Sequence, residues 1–150
     1  MIKEKFREKI VNEWFGKLSG DCNGNNKLRF YKLIKTNFAR EPYLNILKDY
    51  KLRKLVTKFR CSDHILEIEV GRHKKIQYEH RICKICYTDV ETEIHFLQSC
   101  TIYNPLRLKY LDMHLNPYEL MQCSDMEVVR NLAYFLEKAF QIRERELTLN

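Results

Sequence analysis

RICKICYTDVETEIHFLQSC, Arg81 to Cys100, holds three of the six cysteines and one of the five histidines of a 150-residue chain. They fall as Cys83-x2-Cys86-x8-His95-x4-Cys100. Two residues between the first pair is the spacing at which a tight turn brings two thiolates to one metal. It also leaves backbone amides free to hydrogen-bond to the sulfurs. His95 and Cys100 are the second pair. On one ideal helix they stand roughly 140° apart, on different faces. The sequence therefore predicts a helical turn around 92–98 that carries His95, with Cys100 beyond its end. Ile94, Phe96 and Leu97 then pack this stretch onto the core.

Whether such thiols bind metal or pair with each other depends on the compartment. The N-terminal MIKEKFREKIVNEWF is broken by charges every two or three residues, so it is not a signal peptide. No stretch approaches the ~20 apolar residues that span a bilayer. The expectation is an intracellular protein of nucleus or cytoplasm, with no membrane role and with reduced thiols. That favours zinc over disulfides. A redox Cys-x2-Cys is the main rival, but no βαβ pattern surrounds it. Four protein ligands leave no open position for water, so one zinc per chain would be structural. His80 is close enough in sequence to substitute as a ligand. Cys22, Cys61 and Cys123 are isolated and read as thiols without metal or disulfide. His64, His73, His80 and His114 read as structural or surface residues.

Outward from this stretch the chain is mainly α with minor β. Phe6, Ile10, Trp14 and Leu18 recur four apart, predicting a helix over 2–18. Ser19 to Lys27 breaks it with glycines and asparagines. Leu28 to Lys35 is either a short strand or a helical turn. Pro42 suits the first turn of a helix through Leu47. A helix from about Asp49 to Phe59 turns Leu52, Leu55, Val56 and Phe59 inward and lysines outward. His64 to His73 mixes alternation with β-branching until Gly71 and reads as a short strand or extended segment. Pro105 opens a helix to about Leu115, and Asn116-Pro117 opens another. The last helix starts near Ser124, whose hydroxyl and Glu127 form a capping box. Its apolar face is Val128, Val129, Leu132, Phe135, Leu136, Ala139 and Phe140, with Arg143 to Glu146 as a solvated tail. The predicted organisation is one compact helical unit around a CCHC zinc knuckle. Its parts are an N-terminal helical segment (1–50), a basic helix with extended segment and knuckle (51–104), and C-terminal helices (105–150).

The chain carries 27 basic and 20 acidic residues, a net charge of +7. The cations crowd between Lys48 and Lys84, which favours a polyanionic partner. The candidate phosphate contacts are Lys51, Lys54, Lys58, Arg72, Lys74, Lys75, Arg81 and Lys84. Tyr78 and Tyr87 lie among them and can stack on unpaired bases.

Two blocks match a known pattern. The first is Arg60-x-Ser62-x-His64-x-Leu66-x-Ile68-Glu69-x-Gly71-Arg72. The second joins Arg81-x-Cys83-x2-Cys86 to Glu93-x-His95-Phe96-Leu97-x2-Cys100, continued by Tyr103 and Arg107. Together they resemble the cysteine-rich C-terminal region of non-LTR (LINE-type) retrotransposon reverse transcriptases, over roughly Leu52 to Tyr110. The resemblance implies that Cys83, Cys86, His95 and Cys100 are the metal ligands and that the region engages nucleic acid. Polymerase activity does not carry over. No Tyr-x-Asp-Asp type carboxylate pair is present, and 150 residues cannot hold palm, fingers or an endonuclease. Ser62 is expected to cap or turn after the basic helix. Glu69 and Arg72 are expected to pair with each other or with Arg60 and Arg81. Without such pairing they are surface charges near a turn.

The expectation for function is therefore a zinc-stabilised module that binds RNA or single-stranded DNA without sequence readout, and not an enzyme. The alternative is a zinc-stabilised protein-interaction module that docks a partner on the last helix.

Overall fold

The computed structural model describes residues 2–18 and 26–149. Cys22 and most of the predicted break at 19–27 lie outside them. Eight α-helices are described: α1 (Ile2–Leu18), α2 (Tyr31–Ile34), α3 (Tyr43–Ile46), α4 (Tyr50–Arg60), α5 (Glu67–His73), α6 (Asn104–Tyr110), α7 (Pro117–Gln122) and α8 (Met126–Leu149). Among the described residues, β structure is one isolated antiparallel bridge between Ile82 and Val90. The ambiguous 28–35 stretch resolves as the short helix α2.

Aromatic packing decides where these helices sit. Phe96 is fully buried, with ring centroids of Phe140 and Tyr103 both 4.7 Å away, Phe59 5.8 Å away and Phe135 6.2 Å away. These rings come from α4, α8 and the cysteine-rich segment, so one cluster joins all three. Burying a side chain of this size contributes about 1.5–3 kcal/mol. On α8, Val129, Leu132, Ala133, Phe135, Leu136 and Ala139 are buried at helical spacing. The face that would have docked a partner is thus consumed by the core. α4 begins as the sequence predicts: the Asp49 carboxylate accepts from the Lys51 and Leu52 amides at 2.7 and 3.2 Å.

Four expectations are corrected. Residues 67–73 form a helix and no strand. The polar members of the apparent alternation, Glu67 and Glu69, are buried beside Leu66 and Ile68, so the run has no solvent face to support a period of two. Acidic residues in the first turn also favour a helix through its dipole. Gly71 sits inside this helix and does not end it. Its missing side chain admits Arg81: a Cβ there would meet Arg81 Cγ at 2.5 Å and Cδ at 2.8 Å. The helix from Pro105 stops at Tyr110, because Leu111 turns extended and buries itself. The cap of α8 is Asp125 and not Ser124; its carboxylate accepts from the Glu127 and Val128 amides at 2.9 and 3.0 Å. A capping box does occur one helix earlier, between Asn116 and Glu119.

The fourth correction concerns the supposed solvated tail. Arg143 is 1% exposed. Its Nε and Nη2 donate to the two oxygens of Glu91, both at 2.8 Å. Glu91 also accepts from the Glu67 amide at 2.7 Å. Among the described residues no helix is long and apolar enough to cross a membrane.

Arg143→Leu strands the Glu91 carboxylate in the core. It is expected to lower the unfolding free energy by about 3–5 kcal/mol in denaturant melts. Arg145→Leu, at an exposed site two residues on, should change it by no more than about 0.5 kcal/mol. Gly71→Ala must displace the Arg81 side chain and is expected to cost about 1–3 kcal/mol. A wild-type midpoint for that variant would remove the close-approach account of Gly71.

Candidate metal centre

The centre is built by three local devices. First, residues flanking the Ile82–Val90 bridge pair antiparallel: the Cys83 amide donates to Asp89 O and the Glu91 amide to Arg81 O, both at 2.9 Å. Second, the turn between them closes through the Tyr87 amide on Cys83 O at 2.9 Å, with Tyr87 at φ 58°. Left-handed backbone at a tyrosine is uncommon and marks a constrained turn. It brings Cys86 back beside Cys83. Third, His95–Ser99 forms a π-helical turn, and the Cys100 amide donates to His95 O at 2.9 Å. The wider i→i+5 ring is what places Cys100 on the side of His95, where an α-helix would separate them.

The four ligand atoms of Cys83, Cys86, His95 and Cys100 all lie within 4.8 Å of one another. Cys83 Sγ and Cys100 Sγ are 4.0 Å apart, and Cys86 Sγ stands 3.3 Å from His95 Nε2. Tetrahedral metal–sulfur bonds of about 2.3 Å require sulfur pairs about 3.8 Å apart, so the spacing suits one ion. The donor chemistry agrees. Thiols are weak hydrogen-bonding groups, and Cys83, Cys100 and His95 are buried. This group can hold one metal ion.

Cys83, Cys100 and His95 shift one another's protonation. Hydrogen bonding with Cys100, then burial, pushes the Cys83 thiol up to about 12. The same contact with Cys83 lowers Cys100. Burial pulls His95 down, but hydrogen bonding to Cys83 and the charges of Cys83 and Cys86 raise it above its ordinary value. A metal ion replaces the protons that these groups share, so acid opposes its binding.

A frame of buried ion pairs holds the ligand segment, and most of it was not read from the sequence. Glu91 lies 3.7 Å from Cys83 Sγ and carries Arg143. Glu93 accepts from Arg29 at 2.7 Å and Ser62 at 2.7 Å, and bonds His64 at 2.9 Å. Burial alone would raise the Glu93 carboxyl; the hydrogen bond and charge of His64, with Arg29 and Ser62, hold it below its ordinary value. Glu69 pairs with Arg72 at 2.8 Å and also with Arg29. Arg107 donates to the Cys100 carbonyl. The expected pairing of Glu69 with Arg72 is present, with Glu69 buried and Arg72 partly covered, so the surface-charge alternative falls.

Other predicted positions divide cleanly. His80 is exposed and stands outside the ligand group. Cys61 and Cys123 are free thiols. Lys51, Lys54 and Lys58 are exposed on one ridge of α4; Lys54 lies over the Tyr50 ring at 5.8 Å, and Lys58 is 3.4 Å from Asp63. Lys74, Lys75, Tyr78 and Tyr87 are exposed. Lys84 is half exposed and bonds Glu67 at 2.9 Å. Arg72 is partly covered, with Nε and Nη2 on Glu69. Arg81 leaves the set of phosphate contacts. It is 2% exposed, and its guanidinium donates to the Ile76 and Ile68 carbonyls. A cleft of about 620 Å³ between α5 and the turn Tyr78–His80 is lined by Arg72, Lys75, Gln77, Tyr78 and Glu79.

Comparison with protein-family models gives no match, and comparisons with curated proteins and with solved structures give none either.

Metal ligation in sites of this kind supplies on the order of 10 kcal/mol of apparent free energy. Cys100→Ser and His95→Ala are expected to lose bound metal and melt the 80–104 region. His80→Ala is expected to keep both metal and melting point. Native mass spectrometry and circular dichroism read the two effects, and an unchanged melting point in Cys100→Ser would sink the ligand assignment.

Proposed function

We propose that this chain is a zinc-stabilised module that binds single-stranded RNA or DNA through its backbone, in nucleus or cytoplasm, with no catalytic centre of its own. The observation that carries the reading is the set of exposed lysines on α4 and just after α5. Lys51, Lys54 and Lys58 are exposed on α4, Lys74 is exposed at the end of α5, and Lys75 and Tyr78 line a cleft. The net charge of +7 supports it, because lysines at solvent-exposed positions attract phosphate without reading base edges.

Zinc is the metal that three thiolates and one imidazole in a tetrahedral arrangement favour. With all four positions filled by protein, it orders the loop that bears Tyr87 and Lys84 and activates no water. Tyr78 and Tyr87 stack on unpaired bases, and the lysines neutralise phosphates. The resemblance of the two blocks around Arg60–Arg72 and Arg81–Cys100 to the C-terminal region of non-LTR retrotransposon reverse transcriptases supports this reading.

Binding to a single-stranded oligonucleotide should weaken steeply with salt. Each neutralised phosphate contributes about −0.7 to the slope of log affinity against log salt, so four to six contacts give roughly −3 to −4. Lys54, Lys58 and Lys75 changed together to Glu should abolish binding and leave metal content intact. Unchanged affinity in that variant, or a slope near zero, removes the nucleic-acid reading.

A further inference from the structure

A second surface stands open, away from the metal centre. Between α1 and residues 31–44, Trp14 packs edge-on against Phe38, with ring centroids 5.6 Å apart. With Tyr31 and Leu44 they floor a groove of about 620 Å³. On the same helix Phe6 is 65% and Ile10 38% exposed. An open apolar groove with further exposed apolar side chains on the same helix marks an interaction site more often than idle surface.

The rim of the groove decides what fits. Glu41 is its one carboxylate, and Glu41 is already bound by Lys35 and by Arg60, the latter at 2.6 Å. Arg7 and Arg40 also line the groove. Both are exposed, and neither has an acidic partner among the described residues. An apolar floor under two uncompensated guanidinium groups suits large apolar side chains flanked by carboxylates. From Arg7 to Trp14 the groove follows α1 for about 10 Å, two turns at about 1.5 Å per residue, which matches anchors spaced i, i+4 and i+7 on a docked helix.

We propose that this groove docks an acidic amphipathic helix of a partner protein. The site shares no residue with the nucleic-acid surface proposed above and does not depend on it. A second copy of α1 fits poorly: Lys3 to Lys9 holds four basic residues against two acidic ones, and would bring like charge to a basic rim.

Trp14 is the chain's one tryptophan, so its emission reports the groove directly. The full, metal-loaded chain is titrated with a synthetic helical peptide carrying Leu and Phe at i, i+4 and i+7 and Glu elsewhere. A matched peptide with Lys for Glu and a 20-nucleotide oligouridylate run in parallel. The acidic peptide should give a saturable blue shift, with the Lys peptide at least about tenfold weaker. Arg7→Glu with Arg40→Glu should weaken the acidic peptide by about tenfold or more, with far-ultraviolet dichroism and oligonucleotide affinity unchanged. No shift, or equal binding of both peptides, overturns the proposal. A shift driven by protein concentration alone would assign the groove to a second copy, and one driven by the oligouridylate would assign it to nucleic acid; either also overturns it.

Discussion

The buried pair between Arg143 and Glu91 fixes how the last helix meets the ligand segment. Arg143 belongs to the last helix and Glu91 to the ligand segment, 52 residues apart. Both are essentially inaccessible to solvent. Such a pair gains little over well-packed apolar side chains, because desolvating two charges costs nearly what their attraction returns. Its effect is on specificity. Any register of α8 that leaves Glu91 unpaired carries a penalty of several kcal/mol, so the pair selects one seat for the helix. That seat puts Phe135 and Phe140 around Phe96, and Phe96 is the neighbour of His95.

The same segment is held from the other side. Glu91 reaches the C-terminal helix, and Glu93, two residues on, reaches Arg29 near the start of the core and Ser62 and His64 after α4. His95 follows at the same interval and faces the three sulfurs. Alternate residues thus tie the segment to the C-terminal half, the N-terminal half and the metal group in turn. Ordering of the ligands by metal and ordering of the core are therefore one event. Ser62 shows the cost of this arrangement. It holds φ 52° while its hydroxyl reaches Glu93, a left-handed conformation that only its surroundings sustain.

Local features were legible in the sequence and long-range ones were not. The cysteine–histidine spacing, the extent of α4 and the apolar stripe of α8 each lie within one short window, where backbone geometry alone dictates the pattern. Residues 67–69 read as extended because Ile65, Leu66, Ile68 and Val70 mix alternation with β-branching; the local Glu69–Arg72 pair is expected from the sequence, but the distant ones are not. The distant partners, Arg29 and Arg143, are 40 or more residues away, and no periodicity records them. Arg143 itself looked solvated among Arg-Glu repeats for the same reason. The sequence showed that His95 and Cys100 could not share an α-helix, but not that a π-helical turn would reunite them. Gly71 was read as a stop, though its function is steric: it leaves room for Arg81.

The two kinds of cation divide the labour. Among the described residues five of the six buried cations are arginines, Arg29, Arg60, Arg81, Arg107 and Arg143, and Lys35 is the sixth. Four carboxylates, Glu67, Glu69, Glu91 and Glu93, are buried with them. A planar fork with five donors satisfies several interior acceptors at once, as Arg81 does on two carbonyls, while a lysine ammonium keeps its hydration. Interior charge is thus nearly balanced, and most of the net +7 remains outside. Because that outer charge is borne mainly by flexible lysines, its field is open to counterions and to salt. A basic composition by itself would not distinguish structural arginines from cations available to a partner. Burial does, and it leaves the lysines of α4 and of the α5 cleft, with Arg7 and Arg40 at the α1 groove, among the charge free to act outward.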